Sequence, residues 1–279
     1  MSAGVGAPVR IAWAGLVLFL AASSSRSSST SVVLTTDADA QQPLSAPARL
    51  RFIAPGWTHE PAGLRTWVDT PITAFTGNGW GIVNPNGYAT VVADAGAPLS
   101  PPNIGQWRYP SGFAGGQAPA TMFHRLPSGF DEGFVGVWWK PSNPWQGHST
   151  FVNKIYFLLG GMCGNLVPSM YGPPGGPYQL RVAPEWGSNW SWLTPNVNPI
   201  PLGLGSWHKI ELYFKYNTPG NGIVRWWMDG TLIGDYANIS FPSSGCFAEF
   251  QFSPTWGGVG DVKRETDYFW FGQAYISYR

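Results

Sequence analysis

Glu211, Tyr213 and Lys215 are the first residues whose types and spacing suggest chemistry. In the run His208–Tyr216 (HKIELYFKY), alternation sends Ile210, Leu212, Phe214 and Tyr216 to one side and leaves Lys209, Glu211, Tyr213 and Lys215 on the other. The same rule puts Gln179 and Arg181 on one face of YQLRVA, and Glu249 and Gln251 on one face of FAEFQF. In FVNKIYFLL it predicts Lys154 and Tyr156 together, with Asn153 opposite. Such rows are either a solvated outer sheet or the lining of a concave substrate groove, and the alternation leaves both open. The acids define one possible reaction. A retaining glycosidase needs two carboxyls ~5 Å apart and an inverting one ~6.5–9.5 Å. Only Glu211 and Glu249 lie well inside strong strands, so a hydrolase would have to use that pair. Sugars are also suggested by Trp186, Trp190 and Trp192 in PEWGSNWSWLTPN, and by Trp145 near His148 in NPWQGHST. Indoles exposed in such loops stack on the apolar faces of pyranose rings; the alternative is that each folds back as a lid on the core. His59, His124, His148 and His208 show no ligand spacing, so no cofactor is expected, and a structural Ca2+ would leave no readable motif.

These residues need strands to hold them. Gly 36 and Pro 26 exceed a fifth of the 279 residues, and charged residues are only 11%, which excludes long helices and coiled coils. With 44% hydrophobic residues and 16 Trp, the chain can bury enough apolar surface to offset its conformational entropy. Strands are predicted at 133–140, 151–159, 178–183, 208–216, 222–229, 247–252 and 269–278, with weaker ones at 87–93 and 120–126. Many strands separated by turns, with no internal repeat, imply an all-β, two-sheet antiparallel sandwich. Of each adjacent pair Trp138–Trp139 and Trp226–Trp227, one ring should enter the core and one should face out.

Lys and Arg total 16 against 15 Asp and Glu, a net charge of +1, so no strong field draws the chain to nucleic acid or an anionic membrane. Ile11–Ala22 is an apolar run following Arg10 and preceding small residues. It fits a secretory signal peptide over 1–22 and is too short to span a bilayer of about 30 Å. Residues 23–49, rich in Ser, Thr, Ala, Pro and Gln, have the composition of a flexible tether. The expected product is a secreted monomer whose folded domain covers 50–279, with no membrane attachment after cleavage. In an oxidising compartment Cys163 and Cys246 are expected to form a disulfide closing about 80 residues, which contributes ~4 kcal/mol in the chain-entropy model.

The segment Ser206–Gly230 (SWHKIELYFKYNTPGNGIVRWWMDG) resembles the central hairpin of the concanavalin A-like lectin/glucanase superfamily, and within it the polysaccharide lyase jelly rolls. The run Phe252–Gly258 (FSPTWGG) and the closing Tyr275-Ile276-Ser277 resemble the C-terminal strands of the same proteins. Tyr213-Phe214-Lys215 echoes the Tyr-Phe-Lys strand of one alginate lyase family; its Gln-Ile-His and Arg-x-Glu-x-Arg elements are absent. The resemblance implies a jelly roll that cleaves a uronic-acid polysaccharide by β-elimination, with Tyr213 as base. For that reaction the strand faces offer Lys215, Arg181 and Gln251 as carboxylate or subsite contacts, and Lys154, His148 and the loop tryptophans as outer substrate contacts. Such architectures also serve as non-catalytic carbohydrate-binding modules.

Overall fold

The computed structural model describes residues 56–98, 103–160, 164–186, 189–190, 192–216, 220–241 and 247–279. The signal segment, the tether and the Cys163–Cys246 pair lie outside them. Strands run in the order β1 (Arg65–Pro71), β2 (Trp80–Val83), β3 (Ala89–Ala93), β4 (Asn103–Tyr109), β5 (Thr121–Arg125), β6 (Glu132–Pro141), β7 (Val152–Lys154) and β8 (Phe157–Leu159). They continue as β9 (Asn165–Tyr171), β10 (Gln179–Trp186), β11 (Asn189–Trp190), β12 (His208–Lys215), β13 (Gly222–Met228), β14 (Thr231–Ile239), β15 (Glu249–Phe252) and β16 (Asp267–Tyr278).

Two antiparallel sheets form the expected sandwich. The first has the order β14-β13-β12-β6-β16-β4-β3. Its long β16 pairs with β6 along one edge, and with β4 and then β1 along the other. The second has the order β11-β10-β9-β8-β15-β5-β2, with β7 on the same edge of β9 as β8. Alternation places Ile210, Leu212 and Phe214 of β12, and Phe250 and Phe252 of β15, in the core between the sheets. Aromatic rings fill much of that core. Trp107 meets Phe271 and Trp139 meets Phe269 edge-on, each at 4.9 Å, the arrangement that ring quadrupoles favour. Trp139 and Trp226 are fully buried while Trp138 and Trp227 are half-exposed, as adjacent positions on a strand require.

Two departures from the sequence pattern shape the second sheet. The run 151–159 is not one strand. It breaks between β7 and β8, where the Ile155 amide donates to the Pro168 carbonyl, and both Ile155 and Tyr156 turn into the core. Tyr156 therefore does not share a face with Lys154. The break also explains how β9 tolerates a proline. Val182, opposite Pro168, exchanges its backbone bonds with Leu193 on its far side, so Pro168 faces the interruption and no ladder donor is missed.

The β13–β14 hairpin turns on Asp229 and Gly230, both at positive φ. Asp229 also reaches back to β12. Its Oδ1 accepts from the Lys209 amide at 2.8 Å, and its Oδ2 lies 2.7 Å from His208 Nδ1, while His208 Nε2 lies 2.8 Å from the Gly203 carbonyl. Burial opposes a charge on His208, but the Asp229 bond and the Gly203 carbonyl outweigh it and raise the imidazole above its ordinary 6.5. The folded chain thus holds this proton more tightly than the unfolded one. The stabilisation is complete below about pH 6.5, the unfolded value, and is lost as pH rises through the folded value. Asp229→Asn should flatten this part of the pH dependence of thermal unfolding; an unchanged slope would show that the pair does not contribute.

Candidate active site

The two sheets present two outer faces, and they differ. On the first sheet, residues 57–64 lie across β12, β6 and β16. Trp57 stacks on Tyr275 at 5.6 Å, and its ring occupies the space above Gly136, where a Cβ would come within 2.4 Å of it. His59 stacks on Trp227 at 4.8 Å and bonds Glu211 through its amide (3.3 Å) and Nδ1 (2.8 Å). Glu211 is fully buried there, with Lys209 Nζ at 3.5 Å. Tyr213 donates to Glu132 Oε1 at 2.9 Å, and Lys215 pairs with Glu132 at 3.3 Å. Burial, reinforced by Glu132, pushes the Tyr213 phenol up to about 12, the wrong direction for a proton acceptor near neutrality. The expectation that Glu211, Tyr213 and Lys215 line an open groove is therefore corrected: packed protein covers Glu211 and Tyr213, and Lys215, though partly exposed at the strand end, is paired with Glu132.

The second sheet's outer face carries a different set. Along β10, Gln179, Arg181, Ala183 and Glu185 point away from the core; along β9, Asn165, Val167, Ser169 and Tyr171 do. Register aligns them across strands: Arg181 faces Ser169, which faces Lys154 of β7, and Gln179 faces Tyr171. The Arg181 guanidinium sits 3.9 Å over the Tyr171 ring, and its Nη2 donates to Gln179 Oε1 at 3.3 Å. Arg181 Nε is buried without a hydrogen-bond partner among the described residues. Lys154 Nζ lies 3.0 Å from Glu185 Oε1, and Asn165 Nδ2 donates to Glu185 Oε2 at 3.2 Å. Beside these groups Phe157, Val167 and Ala183 form a buried apolar cluster with the partly exposed Leu159 and Trp192, and Trp192 also packs on Tyr171 at 5.2 Å. Two cations, a phenol, amides and one indole are thus partly exposed together on this face, a composition suited to a carboxylated sugar.

The other expected residues distribute as follows. Gln251 and Glu249 lie on this same outer face through β15, with the Gln251 amide donating to Glu249. Tyr213 and Lys215 lie on the far side of the sandwich from Arg181 and Gln251, so the four do not form one constellation. Glu211 and Glu249 likewise occupy opposite outer faces and cannot act as a hydrolase pair. Glu185 and Glu249 share a face, but Asn165 and Leu159 stand between them in the register. Three strand spacings of about 4.8 Å exceed the hydrolase range. Trp186 ends β10 and packs on Phe241 at 5.1 Å, and Trp190 belongs to the edge strand β11 rather than to a loop.

Trp145 and His148 are also corrected as substrate contacts. Trp145 is 3% exposed, stacks on Phe269 at 4.2 Å and donates to Asn153. His148 is fully buried against Trp256 at 4.9 Å, and burial pulls its pKa below the ordinary value despite Asp261. Trp145 forms part of the wall of an open cavity of about 750 Å3 lined by the loops 144–149 and 260–265 with Pro174, and His148 packs behind it. The sequence reading missed Tyr171, Ser169 and Asn165. The segment NLVPSMY carries Pro168, a residue that weakens the signal of an interior strand.

No family model matches the chain, and no curated protein matches it. Solved structures do. The endo-β-1,4-glucuronan lyase of the fungus Trichoderma reesei superposes with TM-score 0.54 at 16% identity, over 72% of this chain and 92% of that chain. The PL-14 alginate lyase of Aplysia kurodai gives 0.52 at 13%, over 71% and 89%. A doubly substituted alginate lyase Aly36B in complex with alginate trisaccharide gives 0.52 at 10%, over 72% and 98%. At these identities the likeness concerns the fold: the concanavalin A-like jelly roll that polysaccharide lyases use.

Proposed function

We propose, from a fold shared with polysaccharide lyases, that this chain cleaves a uronic-acid polysaccharide by β-elimination on the outer face of the second sheet. The observation that carries the reading is the placement of Arg181 and Lys154 on either side of Ser169, beside Tyr171, on a partly exposed face bordered by aromatic residues. The C5 proton of a uronate is too weakly acidic to leave unless the adjacent carboxylate is neutralised. The partly exposed Arg181 guanidinium and Lys154 supply that charge. The Tyr171 phenolic oxygen takes the C5 proton while its own proton passes to the leaving oxygen, the C4–O bond breaking as the C4–C5 double bond forms. Gln179 holds the guanidinium, Glu185 pairs with Lys154 and is itself held by Asn165, and Trp192 stacks on the sugar. Export directed by residues 1–22 would bring the chain to a polymeric substrate outside the cell.

A second reading, a carbohydrate-binding surface without cleavage, is favoured by the Lys154–Glu185 pair, which gives that lysine an ionic partner already within the protein. One experiment separates them. The purified protein is incubated with alginate, glucuronan and a neutral β-glucan, and the ultraviolet absorbance of the unsaturated product is followed alongside pull-down on each polymer. Absorbance growth on a uronate polymer is expected. Retained pull-down without any absorbance would replace the lyase reading by the binder.

A further inference from the structure

We infer that Phe123 is a sugar-stacking platform at the far end of this outer face, holding a pyranose ring of a polymer that extends beyond the Lys154–Arg181 cluster. The inference rests on reading the face as the glycan site. Phe123 stands on β5 between two cross-strand partners, Gln251 of β15 and Gly81 of β2. Its neighbours Met122 and His124 are buried, so its ring lies on the outer side.

Gly81 determines how that ring lies. A Cβ built on Gly81 would stand 2.6 Å from Phe123 Cζ, and 3.0 and 3.1 Å from the two Cε atoms. A point beyond the ring's edge would be much farther from the Cε atoms than from Cζ. Near-equal distances put it against the face of the ring. The phenyl group therefore lies along the sheet on the β2 backbone, and its half-buried state is that of a ring with one face covered. Any side chain at position 81 would tip it up.

Polar groups frame the ring. Gln251 lies beside it, Glu249 and Arg125 form the next cross-strand pair, and the Thr121 and Ser253 hydroxyls bond each other at 2.8 Å on the other side. An apolar floor with a hydrogen-bonding rim is the arrangement that receives a sugar. Four strand spacings of about 4.8 Å separate β5 from β10, so a ligand that touches both Phe123 and Arg181 must contain several sugar units.

The test is affinity electrophoresis of the parent protein, Phe123→Ala, Phe123→Trp and Gly81→Val. The gels contain alginate, glucuronan or a neutral β-glucan, uronate trisaccharides serve as competitors, and melting temperature is the folding control. Phe123→Ala is expected to weaken polymer binding about tenfold, to leave trisaccharide binding within twofold, and to melt like the parent. Phe123→Trp keeps the affinity, and a folded Gly81→Val loses it as Phe123→Ala does. Equal polymer affinity in Phe123→Ala and parent, or an equal loss for trisaccharide and polymer, overturns the platform. Because the assay reads binding, Phe123-dependent retention without any unsaturated product would sink the lyase reading and leave the platform standing. Product formation with Phe123-independent affinity would do the reverse. Failure of every polymer to retard the parent overturns both.

Discussion

Arg181→Ala should lower kcat/KM toward the cleaved uronate polymer by about 10^2–10^3-fold, the usual cost of removing a preorganised group that stabilises developing charge. The expectation follows from the geometry. Arg181 is held over Tyr171 and by Gln179, so its guanidinium is fixed before substrate arrives. A carboxylate bound against the partly exposed side of the guanidinium would, once the C5 proton leaves, delocalise the charge onto oxygens already facing a cation. Arg181→Lys keeps the charge but loses the planar donor set and should recover only part of the rate. The measurement is initial-rate kinetics on the polymer identified in the product assay, with thermal unfolding as control. A folded Arg181→Ala protein with parental kcat/KM would remove Arg181 from the site, and with it the assignment of the reaction to this face.

The largest expected stability effect lies elsewhere, at Lys263. This side chain is fully buried, forms an ion pair with Asp267 and donates to the Gln146 carbonyl at 2.8 Å. Its ammonium sits 3.8 Å from the centre of Trp145 and 4.5 Å from that of Trp256, so cation–π attraction supplements the pair. Asp267 in turn accepts from the Gln146 amide at 2.9 Å. The cluster thereby ties loop 144–149 to β16. Breaking a buried pair by removing one partner costs about 3–5 kcal/mol, because the other charge stays desolvated. Asp267→Asn should therefore lower the melting temperature by roughly 10 °C. Replacing both residues with apolar ones of similar size should recover much of the loss.

The same lysine contributes a pH dependence of opposite sign to that of His208. Burial lowers Lys263 to about 8 from 10.5, against the pull of Asp267. The unfolded chain then binds the proton more readily between those values, so stability rises with pH across that window. A parental protein whose stability is flat from about pH 8 to 10.5, or an Asp267→Asn variant melting within a degree or two of the parent, would show that the charge is not desolvated as the structure places it.

Two features of the sequence led to the fold. Alternating runs such as HKIELYFKY and FAEFQF encode which side chains meet the core, since a pleated strand offers only two faces and the apolar one must be buried. The scarcity of helix formers and the abundance of Gly and Pro turns left a sandwich as the way to pair those faces. Local pattern therefore determined the class of fold and the in-or-out direction of Arg181, Gln251, Glu211 and Tyr213 individually. It also gave the interior and exterior members of the Trp138–Trp139 and Trp226–Trp227 pairs.

What tertiary structure alone decided is which outward side chains are covered and which stay partly exposed. Alternation is defined relative to the core and carries no information about what lies beyond a sheet. Glu211 and Tyr213 read like site residues until residues 57–64, which have no periodic signal, are seen to cover them with Trp57 and His59. The same limit applies to Trp145 and His148, since a loop between strands has no repeat to show that its rings fold inward. Tyr171 was hidden for the opposite reason: Pro168 breaks the strand rule, and only the gap between β7 and β8, a feature of long-range pairing, relieves the missing donor. Strand direction and facing are local consequences of backbone geometry, whereas exposure depends on segments far apart in the chain, and that is why the site had to be read from the folded molecule.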